Sequence, residues 1–122
     1  MDQRTFDQLP QAVKHIAETF TMLTEADVVT GYHVLLPNGY TVSVQFGWAT
    51  ESDNQDFFGS ALEYDPNASF AERATRAEIA VWDANEVWRD PDTLQTIEGS
   101  SVVKGWVSFE AVVALIERVA KL

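Results

Sequence analysis

Few residue types in this chain can carry chemistry. It has two histidines, His15 and His33, 19 acidic residues against 8 basic ones, and no cysteine. Without thiols, disulfides, zinc–thiolate centres and cysteine nucleophiles are excluded. The densest run of candidate ligands is QFGWATESDNQDFFG, Gln45 to Gly59, which holds Glu51, Asp53 and Asp56 beside Trp48, Phe57 and Phe58 with no base among them. Calcium is the first chemistry to test. An EF-hand loop needs alternating oxygen ligands, a glycine at the sixth position and a glutamate at the twelfth. Counted from Asp53, the sixth residue is Phe58 and Glu63 falls eleventh; counted from Glu51, the sixth is Asp56 and the twelfth Leu62. Neither register fits, so the stretch reads as a solvated polar loop.

The histidines offer no stronger pattern. His15 lies off the apolar stripe of its segment and should face solvent. His33 falls near Ser43 once the surrounding strands are paired, but no Gly-x-Ser-x-Gly elbow marks a nucleophile. No close His spacing marks a metal site. Asp83, Glu86, Asp90 and Asp92 follow one another closely enough for general acid–base work, yet such clusters are ordinarily solvated faces. Phosphate-cradling glycine loops and basic–aromatic patches are missing. The chain is therefore expected not to be an enzyme and to carry no catalytic residue, cofactor or metal.

The tryptophans remain: Trp48, Trp82, Trp88 and Trp106. Each reads first as core. Aromatics beside carboxylates also describe a protein-binding surface. On that reading the partner-binding residues are Trp48, Glu51, Asp53, Asp56 and Phe57 in one segment. Asp83, Glu86, Trp88, Asp90 and Asp92 make up the other.

The elements that must position these residues follow from periodicity. Phe6, Leu9, Val13, Ile16, Ala17 and Phe20 recur at helical spacing, with Pro10 suited to a first turn. Thr24 either caps a last turn or opens a loop. Residues 28–50 contain no Asp, Glu, Lys or Arg. Within them, GYHVLLPNGYTVSVQFG is a hairpin. A two-residue Asn38-Gly39 turn would pair Leu36 with Thr41. A three-residue Pro37-Asn38-Gly39 loop pairs Leu36 with Tyr40, Val34 with Val42 and Tyr32 with Val44. The second register places all six apolar side chains on one face and is preferred. The opposite face, His33, Leu35, Thr41, Ser43 and Gln45, is then uncharged and suited to partial cover by another element or a subunit.

Downstream, Ser69 and Glu72 form a capping-box pattern before a short helix from about Phe70 to Arg76. AEIAVWDANEVWRD reads as strand, polar turn at Asp83 to Glu86, and short strand. Residues 91–101 read as loop and VVKGWV as a last strand. Ser108 caps a final helix whose apolar stripe is Phe109, Val112, Val113, Leu115, Ile116 and Val119. The expected fold is a single α+β domain over 1–122. It is an antiparallel sheet of about four to five strands, with N- and C-terminal helices on one face and a short central helix.

The segments YTVSVQFGWATESDN, AEIAVWDANEVW and VVKGWVSFEAVVALI together resemble a widespread type of small phage- and prophage-encoded protein. The resemblance runs from about Gly39 to Ile116 and rests on structural motifs, with no catalytic residue to carry over. It implies an accessory gene product in the cytoplasm of an infected or lysogenic bacterium. Small acidic phage proteins often inhibit host nucleases or defence complexes such as CRISPR effectors, some by imitating the charge of DNA. A net charge of −11 agrees with a basic protein as partner and disfavours direct contact with nucleic acid or an anionic membrane. The N-terminus has no signal-peptide pattern, and AVVALI is too short to span a membrane. The function expected is thus protein binding, with a basic host protein or nucleic-acid-binding complex as partner. The alternatives are a homo-oligomeric accessory protein, a homodimer through the uncharged hairpin face, and a small ligand-binding domain or enzyme.

Overall fold

A computed structural model describes residues 4–25, 28–47, 50–53, 70–97 and 102–122, with residues 70 and 73 described by backbone alone. The chain is α+β. A 3-10 turn, Phe6–Gln8, leads into α1, Leu9–Val13. Then come β1, Thr19–Glu25, β2, Val28–Leu35, and β3, Thr41–Gln45. After α2, Phe70–Arg73, follow β4, Arg76–Trp82, β5, Trp88–Arg89, β6, Lys104–Ser108, and α3, Phe109–Val119. The six strands form one sheet in the order β1-β2-β3-β4-β5, with β6 also on β4, and every pairing is antiparallel. The outer edge of β4 is shared. Its first half pairs β6 through Ala77 and Val107, and its last two residues pair β5.

The central hairpin takes the three-residue loop. Val34 faces Val42, Tyr32 faces Val44, and the Leu36 N–H donates to the Tyr40 carbonyl at 2.9 Å. Gly39 sits at φ +90°, where a side chain is strained, and an added Cβ would also press on Ala84. Alternation then sends Tyr32, Val34, Leu36, Val42, Val44, Ile79, Val81 and Val107 to one face. There they meet Phe6, Leu9 and Val13 from the N-terminus, Ala71 and Ala74, and Phe109, Val112, Leu115, Ile116 and Val119 from α3, all buried. Phe6, Phe46 and Phe109 form the aromatic centre, with ring centroids 5.5 and 5.6 Å from Phe6. Each such side chain contributes roughly 1.5–3 kcal/mol by leaving water. Ser108 caps α3 by accepting the Ala111 N–H at 3.2 Å, and Asn38 Nδ2 donates to the Val119 carbonyl at 2.8 Å, tying the hairpin tip to the helix end.

Three expectations need correction. The first helix does not reach Phe20: α1 stops at Val13, and Thr19–Glu25 is an edge strand. The Glu18 N–H already donates to the Leu35 carbonyl at 2.8 Å, so pairing with β2 captures the segment. Thr24 therefore neither caps a helix nor starts a loop; it lies in β1 where the pairing with β2 slips. The second correction concerns tryptophan. None of the described tryptophans belongs to the core cluster: Trp82 and Trp88 are half-buried on the opposite face, and Trp106 is 45% exposed. The central helix is also shorter than expected, because Arg76 already belongs to β4; its capping residue Ser69 lies outside the described residues. Among the described residues, no helix is long and apolar enough to cross a membrane.

Candidate functional site

The described helices all pack on the core side of the sheet. The second face is built by the alternate residues: His33 and Leu35 on β2, Thr41, Ser43 and Gln45 on β3, Glu78, Ala80 and Trp82 on β4, and Trp88 on β5. His33, Ser43 and Ala80 stand in one cross-strand row, and Thr41, Trp82 and Trp88 in the next. His33 packs perpendicular to the Trp82 ring at 5.2 Å, and Trp82 meets Trp88 at 5.3 Å with planes 45° apart. Burial of His33 in this row lowers its pKa. The Ser43 hydroxyl is buried and accepts from Gln45 Nε2 at 3.3 Å. On one side of the tryptophan pair lies a recess of about 250 Å³ bounded by Ser43, Gln45, Glu78, Ala80 and Val103. On the other lies a recess of about 370 Å³ bounded by Trp82, Trp88 and Glu86.

The turn between β4 and β5 holds Glu86 in place. Asp83 Oδ1 accepts the N–H groups of Asn85 and Val87 at 2.9 and 3.0 Å, and the Glu86 N–H donates to the Asp83 carbonyl at 2.9 Å. Those N–H groups, the Val87 bond foremost, hold the Asp83 carboxyl below the usual carboxylate range, with Arg89 at 3.7 Å adding to it. Glu86 itself is exposed and sits at φ +62°, a left-handed conformation that a side chain other than glycine rarely takes.

The other described partner-binding candidates are engaged within the fold. The Glu51 N–H donates to Glu78 Oε2 at 2.9 Å, and its carbonyl accepts the Trp106 N–H at 2.8 Å. The Glu51 side chain lies against Gly105, where any Cβ would collide with it. Asp53 Oδ2 accepts the Thr75 N–H and hydroxyl at 2.9 and 2.7 Å, and Oδ1 accepts Arg76 Nε at 2.7 Å. Partial burial alone would raise the Asp53 pKa; these donors outweigh it and depress it. Asp90 Oδ1 caps a turn by accepting the N–H groups of Asp92 and Thr93. Asp92 pairs with Lys104. Within the acidic stretch Gln45 to Gly59, residues 50–53 are thus a staple across β4 and β6. Trp48, Asp56 and Phe57 lie outside the described residues. Of the ten candidates, the structure brings Glu86 and Trp88 together at one recess and places Glu51, Asp53, Asp83, Asp90 and Asp92 in turns, staples and ion pairs.

Trp82 and His33 were not among the candidates. A signal for the tryptophans was present: Trp82 and Trp88 flank residues 83–87, and a hairpin closed over those five residues pairs them. Among the described residues, no group of three or more His, Asp or Glu side chains is placed to hold a metal ion. No family model, curated protein or solved structure matches the chain.

Proposed function

We propose that this protein acts by binding a basic protein. The best fit is a host nucleic-acid-binding or defence complex that it inhibits, as the resemblance to small acidic phage proteins implies. The observation that carries this reading is the second sheet face. Two tryptophans stand half-buried on it beside the exposed carboxylate of Glu86, in a chain of net charge −11. Tryptophan gives large contact area at low entropic cost, and surrounding negative charge steers a cationic partner toward it. A surface imitating DNA through a dense carboxylate array receives less support, because Asp53, Asp83, Asp90 and Asp92 already serve internal donors. The test is retention of lysate proteins on the immobilised chain. A basic protein should be held at about 50 mM salt and released by about 500 mM, where screening shortens electrostatic reach to a few ångströms. Recovery of no basic protein at low salt would overturn the reading.

A second reading is a homodimer through the same face. On its β2–β3 part, His33, Leu35, Thr41, Ser43 and Gln45 carry no formal charge at neutral pH, so two copies could meet over that part with Glu78, on β4, outside the contact. A monomeric mass by light scattering at micromolar concentration would remove it.

A further inference from the structure

We propose that the recess between Trp82, Trp88 and Glu86 seats an arginine side chain of the basic partner; this rests on the binding reading above and names its anchoring contact. Three observations converge on it. First, Trp82 and Trp88 oppose each other across β4 and β5 with planes inclined at 45°, and the 370 Å³ recess opens against both rings and Glu86. An indole face attracts a cation through its quadrupole, and tryptophan does so best among the aromatics. Second, Glu86 brings a carboxylate to the rim of that recess on a backbone held at φ +62° by the capped turn.

The third observation is the chain's own use of arginine. Arg4 lies over Phe109 at 4.7 Å, Arg76 over Trp106 at 5.2 Å and Arg89 over Tyr40 at 5.5 Å. Two of these arginines also meet a carboxylate, Arg76 with Asp53 and Arg89 with Asp83. The corner at Trp82, Trp88 and Glu86 offers the same two components, aromatic face and carboxylate. Among the described residues no cation occupies it. Guanidinium is planar, stacks on aromatic rings and is more weakly hydrated than ammonium, so arginine suits the corner better than lysine. The net charge of −11 selects a cationic occupant over an anionic or neutral one.

The test uses a blocked arginine dipeptide and its citrulline counterpart, which is isosteric but uncharged. Binding is read from the indole N–H resonances of the intact protein. Arginine should shift the Trp82 and Trp88 resonances and leave Trp106 in place, with affinity at least about three-fold above citrulline. Glu86→Gln should weaken arginine binding by about the same factor without altering the fold, since that side chain is exposed. Trp88→Ala should abolish the shifts; if it unfolds the hairpin, Glu86→Gln still decides. Equal binding of citrulline and arginine, or unchanged binding by Glu86→Gln, would overturn the proposal. The two readings fail separately. A basic partner retained equally by wild type and Glu86→Gln refutes the seat and keeps the binding function. Indole shifts with arginine but no retained partner would keep the seat and refute the function.

Discussion

Asp53 and His33 respond to acid in different windows. Asp53 joins the segment after β3 to β4 with one carboxylate serving three donors, and Asp53→Asn should cost about 1–3 kcal/mol, read as a lower urea midpoint at unchanged slope. Its folded pKa is depressed below 3.8, so its contribution is fully present above that value and is lost as pH falls through the lower, folded value. The acid limb of the stability curve below about pH 4 should therefore be shallower in Asp53→Asn. His33 acts at milder pH. Its folded pKa is lowered from 6.5 by burial, so below 6.5 the unfolded chain binds a proton that the folded chain refuses. Stability then falls as pH drops from 6.5 toward the folded value. Urea titrations between pH 7.5 and 5 should show that loss in wild type and a flatter profile in His33→Gln; superimposable profiles would mean the imidazole is not the sensor.

The β2–β3 hairpin and α3 are where local sequence and tertiary structure agree. Gly39→Ala should cost about 1–2 kcal/mol, because φ +90° forbids a comfortable side chain and Ala84 stands 3.0 Å from the new Cβ. Ser108→Ala should cost about 1 kcal/mol by stripping α3 of its cap. Thermal or urea unfolding checks both. These elements were legible because each combines a period with a stop signal: strict alternation around Pro37-Asn38-Gly39, and a 3.6-residue stripe behind Ser108. Edge strand β1 had neither. Phe20 lies four residues from Ile16 and continues a helical stripe on paper, while its true partner, Val34, is brought in only by the sheet. Tryptophan burial misled for a related reason. Apolar character said that Trp82 and Trp88 would leave water, but only the register told which face, and that face is the one the described helices leave open. The carboxylates of the candidate site were legible as charges and not as partners, since their donors, Thr75, Arg76, Val87 and Lys104, arrive from distant or turn-forming positions.

For the whole molecule, charge sets opposite salt responses for folding and for binding. With 19 acids and 8 bases, most carboxylates lack a basic counterpart even where Asp53, Asp83 and Asp92 find one. Bringing them together on folding is opposed by mutual repulsion, and salt relieves it. The screening length falls from roughly 30 Å at 0.01 M to roughly 10 Å at 0.1 M, which spans the spacing of charges on a domain this size. The free protein should accordingly gain about 1 kcal/mol over that range, a rise in Tm of roughly 3–6 °C by calorimetry. A complex with a basic partner draws on the same unscreened charge and must weaken as salt rises. A homodimer through the uncharged β2–β3 part of that face behaves the other way: two chains of net charge −11 repel at long range, so salt would strengthen their association. Tm and mass followed across one salt series therefore separate the two readings. A rising Tm with a constant monomeric mass leaves the aromatic face free for a cationic partner, whereas a mass that doubles as salt is added supports the homodimer.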